Sequence, residues 1–357
     1  MIQVVLMNLI LVIITVLLVV ADSLLVKYGE CKIVINKEKT IHVTGGEYLL
    51  SSLVSNKIYI PSACGGKATC GHCKIKVLSG AGSILPTEEV FITRQERNSG
   101  LRLACQVKIK GIVEIYIPEY LLETQQYTGI VVKKENLTHD IKYIKINLQS
   151  PNTIKFKPGQ YIQLKIPGTD EFRAYSIASA PYDANTIELI VRLVPGGLCS
   201  TYVHSVLEVG DKVTFTGPFG EFFLREESSK DIICIGGGCG MAPIRSILYY
   251  LKEHNMPRKV IYFFGARAKR DLFYTEELKE LERKYPNFKY IPALSEPKAD
   301  DRWEGETGLI TQVVERYVHD ASNSEAYLCG PPPMIEAAIK VLTKKGIKQE
   351  NIYYDKF

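Results

Sequence analysis

The sequence predicts an α+β multidomain protein in which an N-terminal transmembrane helix precedes three modules. Residues 127–224 contain many short strand-like segments separated by turn residues, a pattern typical of a small antiparallel β-barrel. From residue 232 onward strand-like and helix-like segments alternate, which indicates a doubly wound α/β domain. The chain also begins with twenty uncharged residues, 2–21.

We place the boundaries of these parts as follows: residues 1–22 for the transmembrane helix, 30–121 for the first module, 125–228 for the barrel and 229–357 for the last module.

The composition limits the classes of function. The chain has 357 residues, too many for one ordinary core, and carries 44 Lys and Arg against 39 Asp and Glu. These charges form no basic run, so we expect no nucleic-acid partner. The nine cysteines are an odd number, and four of them lie within residues 64–105. This pattern indicates reduced thiols in the cytosol and not a disulfide framework.

The first twenty residues are long enough to cross a bilayer, since twenty residues at about 1.5 Å each span about 30 Å. A secretory signal peptide is the alternative, but the apolar run is long for one and no Lys or Arg precedes it. Lys27, Lys32, Lys37 and Lys39 follow, which favours a cytoplasmic side for the rest of the chain. We therefore predict a single-pass protein of the inner (plasma) membrane with its modules in the cytoplasm.

The most specific motif lies in the first module. It reads Cys64-Gly-Gly-Lys-Ala-Thr-Cys70-Gly-His-Cys73, and Cys105 stands 32 residues beyond Cys73. Three close thiols with a remote fourth are the plant-type pattern for a [2Fe–2S] cluster, although the first spacing is one residue longer here. Structural zinc is the alternative, but it favours two C-x2-C pairs and only one is present.

The residues between these cysteines suit a loop that wraps a cluster. Gly65, Gly66 and Gly71 are expected to adopt positive φ angles and to allow a close approach of the backbone. His72 lies between two cysteines, and we expect a solvated loop residue there because four thiols suffice. A hairpin is predicted upstream, at residues 31–43.

The barrel contains the sequence Arg173-Ala174-Tyr175-Ser176. An arginine presents a fork suited to phosphate, and a tyrosine two residues further along a strand can lie against a planar ring. A serine hydroxyl can hydrogen-bond a flavin nitrogen. An ordinary strand is the alternative for this motif alone, but its place in a barrel that precedes a nucleotide fold favours an FAD site.

A second part of the FAD site is predicted downstream. Gly196-Gly197-Leu198-Cys199-Ser200-Thr201 precedes a helix-like stretch. Exposed N–H groups and hydroxyls at the start of that helix can bind the pyrophosphate.

The last module contains a glycine-rich turn between a buried strand and a helix, where a phosphate-binding turn is expected. The turn reads Gly236-Gly237-Gly238-Cys239-Gly240-Met241-Ala242-Pro243. This turn is therefore a candidate for binding a nicotinamide dinucleotide. A tight turn without ligand is the alternative.

Two residues near strand ends are candidates for contact with the reacting rings. Cys329 ends a predicted strand, where ligands bind in open α/β sheets, although a buried small residue is the alternative. Phe357, the last residue, can stack on a flavin ring or can fill the core. Three cations that follow the second strand of this module leave a choice between NADH and NADPH: Arg267, Lys269 and Arg270.

Taken together, these motifs resemble the ferredoxin–NADP reductase superfamily with an N-terminal ferredoxin-type domain. The chain is more closely similar to the family of F subunits of sodium-translocating NADH:quinone reductases. The resemblance covers nearly the whole length, through segments such as PSACGGKATCGHCKIKV, RLACQV, RAYSIASAP, GGGCGMAPIRS, LCGPPPM and YYDKF. Two features depart from that family: the chain is compact between GQYIQLKIP and RAYS, and no glycines follow Phe357.

This resemblance implies a β-grasp [2Fe–2S] domain held by the four cysteines. It implies that NADH gives hydride to FAD, and that single electrons then pass to the cluster. It assigns the FAD pyrophosphate to Gly197, Ser200 and Thr201, and the dinucleotide to Gly237, Gly238, Gly240 and Cys329. It also places Ser176 near the reactive flavin nitrogen and Phe357 over the flavin until nicotinamide displaces it. It also implies other membrane subunits, a quinone acceptor such as ubiquinone, and sodium transport.

Two other interpretations remain open at this point. The same three modules occur in reductases that feed multicomponent oxygenases. A non-catalytic nucleotide-binding subunit is the other interpretation.

Overall fold

The computed structural model describes residues 2–25 and 28–357, with side chains over residues 6–17 and 28–357. The chain forms two compact units, one that ends at Thr124 and one that covers Gln125–Phe357.

Helix α1 (Ile2–Leu25) begins the first unit. The predicted transmembrane segment, residues 1–22, lies partly outside the described residues. Within the part of the chain that the structure describes, no helix combines the length and the apolar character needed to cross a membrane. The predicted transmembrane helix is therefore not confirmed.

The remainder of the first unit is a small mixed sheet with short helices. Its elements are β1 (Glu30–Ile35), β2 (Lys39–Thr44), α2 (Leu49–Ser55), β3 (Lys74–Ser79), α3 (Pro86–Glu89), α4 (Arg94–Asn98), β4 (Leu101–Leu103), β5 (Ile112–Tyr116) and α5 (Glu119–Leu122). The sheet order is β2-β1-β5-β3-β4, with β1 parallel to β5 and the other pairs antiparallel. Alternate residues of β1 are buried, as expected for a strand with one face on a core. The predicted hairpin is confirmed.

The second unit begins with the predicted antiparallel barrel. Its elements are β6 (Gln125–Asn136), β7 (Ile141–Ser150), β8 (Tyr161–Lys165), β9 (Phe172–Ser176), β10 (Thr186–Arg192), α6 (Leu198–Ser205) and β11 (Lys212–Phe219). The order is β10-β7-β6-β11-β8-β9, and every pair is antiparallel. A bridge between Ile177 and Leu189 joins the end of β9 to β10, which closes the barrel.

The rest of the second unit alternates strands and helices, as predicted. Its elements are β12 (Asp231–Gly237), α7 (Met241–Glu253), β13 (Val260–Ala266), α8 (Thr275–Lys284), β14 (Phe288–Leu294), β15 (Glu306–Thr307), α9 (Ile310–Tyr317), β16 (Ser324–Gly330), α10 (Pro332–Lys344) and β17 (Ile352–Lys356). All strands pair in parallel, in the order β15-β14-β13-β12-β16-β17. The order reverses between β12 and β16, so a ligand crevice is expected at the carboxyl ends of these two strands.

The barrel and the α/β domain share one hydrophobic core. Residues of α7 and α8 pack in a cluster that also contains the barrel residues Ile141, Ala178 and Ile190. A separate cluster covers the opposite face of the sheet beneath α9 and α10. Because both faces are covered, the central strands are continuous apolar runs such as residues 232–235.

Candidate functional site

The four predicted cluster cysteines lie together in the first unit as two pairs. The Cys64 and Cys70 sulfurs are 3.4 Å apart, and the Cys73 and Cys105 thiols hydrogen-bond to each other. Four thiolates in two pairs suit a two-iron cluster in which each iron takes two protein ligands. Among the described residues, no three His, Cys, Asp or Glu side chains are grouped as a site for a single metal ion.

One thiol of each pair is easier to ionise than an ordinary cysteine. Burial raises the pKa of Cys64, but hydrogen bonds from the Thr69 backbone and from Cys70 offset it and lower the pKa to about 7. The hydrogen bond from Cys73 lowers the pKa of Cys105 to about 7, whereas the pKa of Cys73 is raised. The thiolate is the form that binds metal, so the loop favours the ligand state.

The backbone of the loop has the predicted shape. Gly65, Gly66 and Gly71 all have positive φ angles, and His72 is exposed. A Cβ atom on Gly71 would lie 2.5 Å from the ring of Phe91, so the loop needs a glycine there. The residues present therefore fit a wrapped iron–sulfur cluster.

A buried ion pair that the sequence did not indicate holds the segment before Cys105, the predicted fourth ligand. Glu88 is fully buried, and both of its carboxylate oxygens accept from Arg102, at 2.9 and 2.6 Å. Glu88 also accepts from the Leu103 backbone N–H at 3.0 Å. The Ala104 N–H then donates to the Cys73 carbonyl at 2.9 Å, which fixes the segment that leads into the remote cysteine.

In the second unit, the predicted flavin motif forms strand β9. Arg173 pairs with Glu171 at 2.8 Å and also donates to the Phe172 carbonyl. Tyr175 packs against the barrel core, and burial together with the adjacent Cys199 thiol raises the pKa of its hydroxyl. Ser176, which is half-buried, ends the strand.

The glycine turn before α6 is tightly built. Gly197 precedes the helix, and a Cβ atom there would lie 2.6 Å from the Ser200 hydroxyl. That hydroxyl accepts from the Val194 N–H at 3.1 Å and donates to the Gly197 carbonyl at 3.2 Å. The Ser200 side chain therefore stabilises the turn. Of the two neighbouring residues, Ser200 is buried and Thr201 is exposed.

The predicted dinucleotide turn follows β12 at the expected crevice. Gly237 and Gly238 line a cleft of about 420 Å³, within the size range of small-molecule sites. Gly240 does not line it; a Cβ atom there would overlap the Cys329 carbonyl oxygen. Gly240 thus allows the turn to pack against β16.

The two candidates for ring contact are placed differently. Cys329 is 1% exposed and lies within β16, beside Gly236 and behind the turn. Phe357 is 54% exposed and lines the same cleft as Gly237, so its ring does not fill the core.

The three cations after β13, Arg267, Lys269 and Arg270, also differ in their surroundings. Arg267 lines the cleft, whereas Lys269 donates to Asp301 through both its N–H and its ammonium group. Arg270 lies 3.8 Å from Asp271, which itself lines the cleft.

Sequence reasoning missed the residues that the barrel contributes to this region. Asp140 and Arg192, paired at 2.8 Å, line the cleft from the barrel side. Arg245 and Ser246 of α7 contact the segment that follows the flavin motif. The sequence does contain Arg245 as a lone arginine in an apolar helix, but the sequence alone does not show which residues it contacts.

Three domain families match the chain in the predicted order. The 2Fe-2S iron-sulfur cluster binding domain matches residues 33–110, the oxidoreductase FAD-binding domain matches residues 128–224, and the oxidoreductase NAD-binding domain matches residues 234–340. The chain therefore contains domains for all three predicted cofactors.

Curated relatives match over nearly the whole chain. The Na(+)-translocating NADH-quinone reductase F subunit of Neisseria meningitidis is 37% identical and that of Klebsiella pneumoniae is 38% identical, each over 99% of this chain and 98% of the relative. Both alignments span 401 positions. Since this chain has 357 residues, each relative carries residues at 44 or more positions where this chain has none.

Solved structures of two reductases are similar in fold. The Amycolatopsis cytochrome P450 reductase GcoB is 28% identical with a TM-score of 0.76, and a ferredoxin reductase in carbazole 1,9a-dioxygenase is 26% identical with a TM-score of 0.71. Each match covers 92% of this chain and 98% of the other chain.

Proposed function

Because the chain belongs to the family of F subunits of Na(+)-translocating NADH-quinone reductases, we propose that it is the NADH-input subunit of a membrane quinone reductase. It takes hydride from NADH onto FAD and delivers single electrons to a [2Fe–2S] cluster. The observation that carries this proposal is full-length similarity to the family, with all three cofactor domains in order. FAD supplies the chemistry that links the two carriers, because a flavin accepts two electrons together and releases them singly.

The FAD site is proposed along β9 and the turn before α6. Arg173 would bind the phosphates, Tyr175 would lie against the flavin, and Ser176 would hydrogen-bond the reactive ring nitrogen. The backbone near Gly197 and the hydroxyl of Thr201, at the start of α6, would hold the pyrophosphate. Ser200 supports this turn through its bonds to the backbone.

The dinucleotide site is proposed in the cleft at the carboxyl end of β12. Gly237 and Gly238 leave room for the pyrophosphate, and Gly240 and Cys329 fix the turn from behind. Phe357 lies in the same cleft. Its ring would cover the flavin until the nicotinamide ring replaces it.

NADH is proposed over NADPH as the donor. The Asp271 carboxylate lines the cleft after β13, where an acidic group suits a ribose 2′-hydroxyl and repels a 2′-phosphate. Of the three nearby cations, Arg267 also lines the cleft, Lys269 donates its ammonium group to the Asp301 backbone carbonyl, and Arg270 lies 3.8 Å from the Asp271 carboxylate.

The four cysteines Cys64, Cys70, Cys73 and Cys105 are proposed as the cluster ligands, and residues 2–21 as the membrane anchor. The uncharged run of twenty residues supports the anchor. Other membrane subunits, a cytoplasmic location of the three domains, ubiquinone reduction and sodium transport follow from the family and form part of this proposal.

Anaerobic titration of the purified full-length protein with NADH tests the electron path. We expect bleaching of the flavin absorbance, followed by loss of the visible absorbance of an oxidised cluster, with about two irons per chain. NADPH at the same concentration is expected to react much more slowly. Flavin bleaching with no change at the cluster would contradict the proposed path.

A reductase that feeds an oxygenase is the second candidate, because the solved structures with high similarity include a P450 reductase and a dioxygenase reductase. A detergent pull-down of the tagged chain from its native membrane, followed by mass spectrometry, separates the two. Recovery of several polytopic membrane subunits supports the quinone reductase. Recovery of a soluble oxygenase, or of the chain alone, contradicts it.

A further inference from the structure

Helix α7 is attached to the barrel through two consecutive side chains. The Arg245 guanidinium donates to the Ala178 carbonyl at 2.9 Å, and the Ser246 hydroxyl donates to the Ser179 carbonyl at 2.6 Å. These two carbonyls belong to the segment that continues β9 beyond Ser176. The helix that follows the dinucleotide turn is thus bonded to the backbone that follows the flavin motif.

An ion pair strengthens this attachment. The same guanidinium nitrogen of Arg245 lies 2.6 Å from the Glu188 carboxylate on β10, and the two side chains are only 10% and 13% exposed. The Tyr249 ring lies against the guanidinium, 4.2 Å from ring centre to Cζ. Lys145 approaches the other Glu188 oxygen at 3.6 Å. Low solvent access makes these charge interactions stronger than surface pairs.

The attachment lies close to both proposed cofactor sites. Arg245 is four residues after Met241, which places it about 6 Å along the helix from the dinucleotide turn. Ala178 is two residues after Ser176, about 7 Å along the extended chain. The surrounding side chains form the core that the two domains share. Any rocking of one domain on the other would therefore have to break these contacts first.

We propose that Arg245 and Ser246 are positioning residues for hydride transfer, and this inference rests on the proposed function. They set the distance between the dinucleotide turn and the flavin strand, although neither residue lines the dinucleotide cleft. Their effect is large because hydride transfer needs the reacting atoms at about 3–3.5 Å, and a misplacement of 1 Å costs about 100-fold in rate.

The test compares four variants of the full-length protein: Arg245→Met, Arg245→Lys, Ser246→Ala and, as a matched control, Arg258→Met. Arg258 is also a buried arginine, 2.6 Å from the Glu325 carboxylate, and its other bonds go to the Lys230 and Arg225 carbonyls. Anaerobic stopped-flow mixing with NADH gives the limiting rate of flavin reduction and the apparent Kd. NADH deuterated at the transferred position gives the isotope effect.

We expect Arg245→Met to lower the limiting rate by about 10- to 100-fold, with a larger isotope effect and less than about a threefold change in Kd. Ser246→Ala is expected to lower the rate by a smaller factor, and Arg245→Lys to recover part of the loss. Arg258→Met is expected to leave the rate unchanged. If Arg245→Met fails to fold, Ser246→Ala, which removes one hydroxyl, carries the test.

Hydrogen–deuterium exchange of the proteins without NADH provides a readout that is independent of activity. Backbone amides of residues 176–180 and 241–247 are expected to exchange faster in Arg245→Met and Ser246→Ala than in Arg258→Met. Equal rates and equal exchange in Arg245→Met and Arg258→Met would overturn the inference, as would a loss of NADH affinity alone. If the unaltered protein does not reduce its flavin with NADH, the proposed function fails instead.

Discussion

The buried pair of Glu88 and Arg102 in the iron–sulfur unit gives a prediction with a defined size. Replacing Arg102 with Met leaves the carboxylate fully buried, with backbone N–H groups of Leu85 and Leu103 as its remaining partners. Removing one partner of a buried pair costs about 3–5 kcal/mol, because the remaining charge is uncompensated. With a urea dependence of about 2 kcal/mol per molar, the unfolding midpoint falls by about 1.5–2.5 M.

The assay is urea unfolding of the full-length protein under anaerobic conditions, followed by the circular dichroism of the cluster at wavelengths longer than the flavin bands, where the signal comes from this unit. Arg97→Met is the matched control, since Arg97 pairs with Glu89 at 3.1 Å on the surface and both are more than half exposed. Such a surface pair contributes about 0–1 kcal/mol. The double variant Arg102→Met with Glu88→Met is expected to recover much of the loss, because an apolar pair of similar volume is often as stable as a buried ion pair.

The pH dependence of this pair has a fixed sign. Burial raises the pKa of Glu88, but the hydrogen bonds from Arg102 and the backbone outweigh it and hold the pKa below its ordinary value. A carboxyl group with a lowered pKa stabilises the fold above its ordinary pKa, and this contribution is lost as the pH falls through the folded value.

Equal urea unfolding midpoints for Arg102→Met and Arg97→Met at neutral pH would refute the reasoning.

Three further predictions concern single positions. Cys105→Ala is expected to reduce the iron content from about two irons per chain to below one. Cys31→Ala, a change at a buried core thiol outside the loop, is expected to retain the iron. The iron content of each purified variant is the measurement. Gly240→Ala is expected to lower the free energy of unfolding by about 1–3 kcal/mol or more, because the added Cβ overpacks against β16. Gly111→Ala is the control and is expected to be neutral, because nothing lies within 4 Å of a Cβ there. Thermal unfolding is followed by flavin fluorescence and cluster dichroism, and equal melting temperatures for the two variants would contradict the prediction. Burial raises the pKa of Asp355 to about 6, so its ionised form destabilises the fold as the pH rises through that value. Asp355→Asn is therefore expected to raise the melting temperature at pH 8 and to change it little near pH 4, and the opposite pH dependence would refute the assignment.

The parts of the fold that repeat a local pattern could be predicted from the sequence. The alternation of β1, the short strands of the barrel and the strand–helix alternation after residue 232 all depend on neighbours within a few positions. The loop from Cys64 to Cys73 could also be predicted, because ligand spacing and glycine content are local properties.

The contacts that join distant segments could not be predicted in the same way. Glu88 and Arg102 are fourteen residues apart, and either would pass for a surface charge in the sequence. Gly240 was expected to bind the dinucleotide, but its lack of a side chain is needed for the approach of Cys329, almost ninety residues away. The sequence shows where a glycine stands, but it does not show which backbone segment packs against that glycine in the fold.

Helix α7 combines a feature that the sequence predicts, its glycine turn, with long-range contacts that the sequence does not predict. Its glycine turn, visible in the sequence, packs against the Cys329 carbonyl on β16, and its next turn bonds through Arg245 and Ser246 to the Ala178 and Ser179 carbonyls. The start of the helix is therefore fixed to its own sheet and to the barrel by contacts with backbone atoms, which cannot change rotamer. Because these contacts involve backbone and not the proposed cofactor sites, changes to Arg245 or Ser246 alter the distance between the sites more than the affinity of either one. We therefore expect a loss in rate at nearly constant NADH affinity, whereas we expect changes at Gly237 or Gly238 to weaken NADH binding itself.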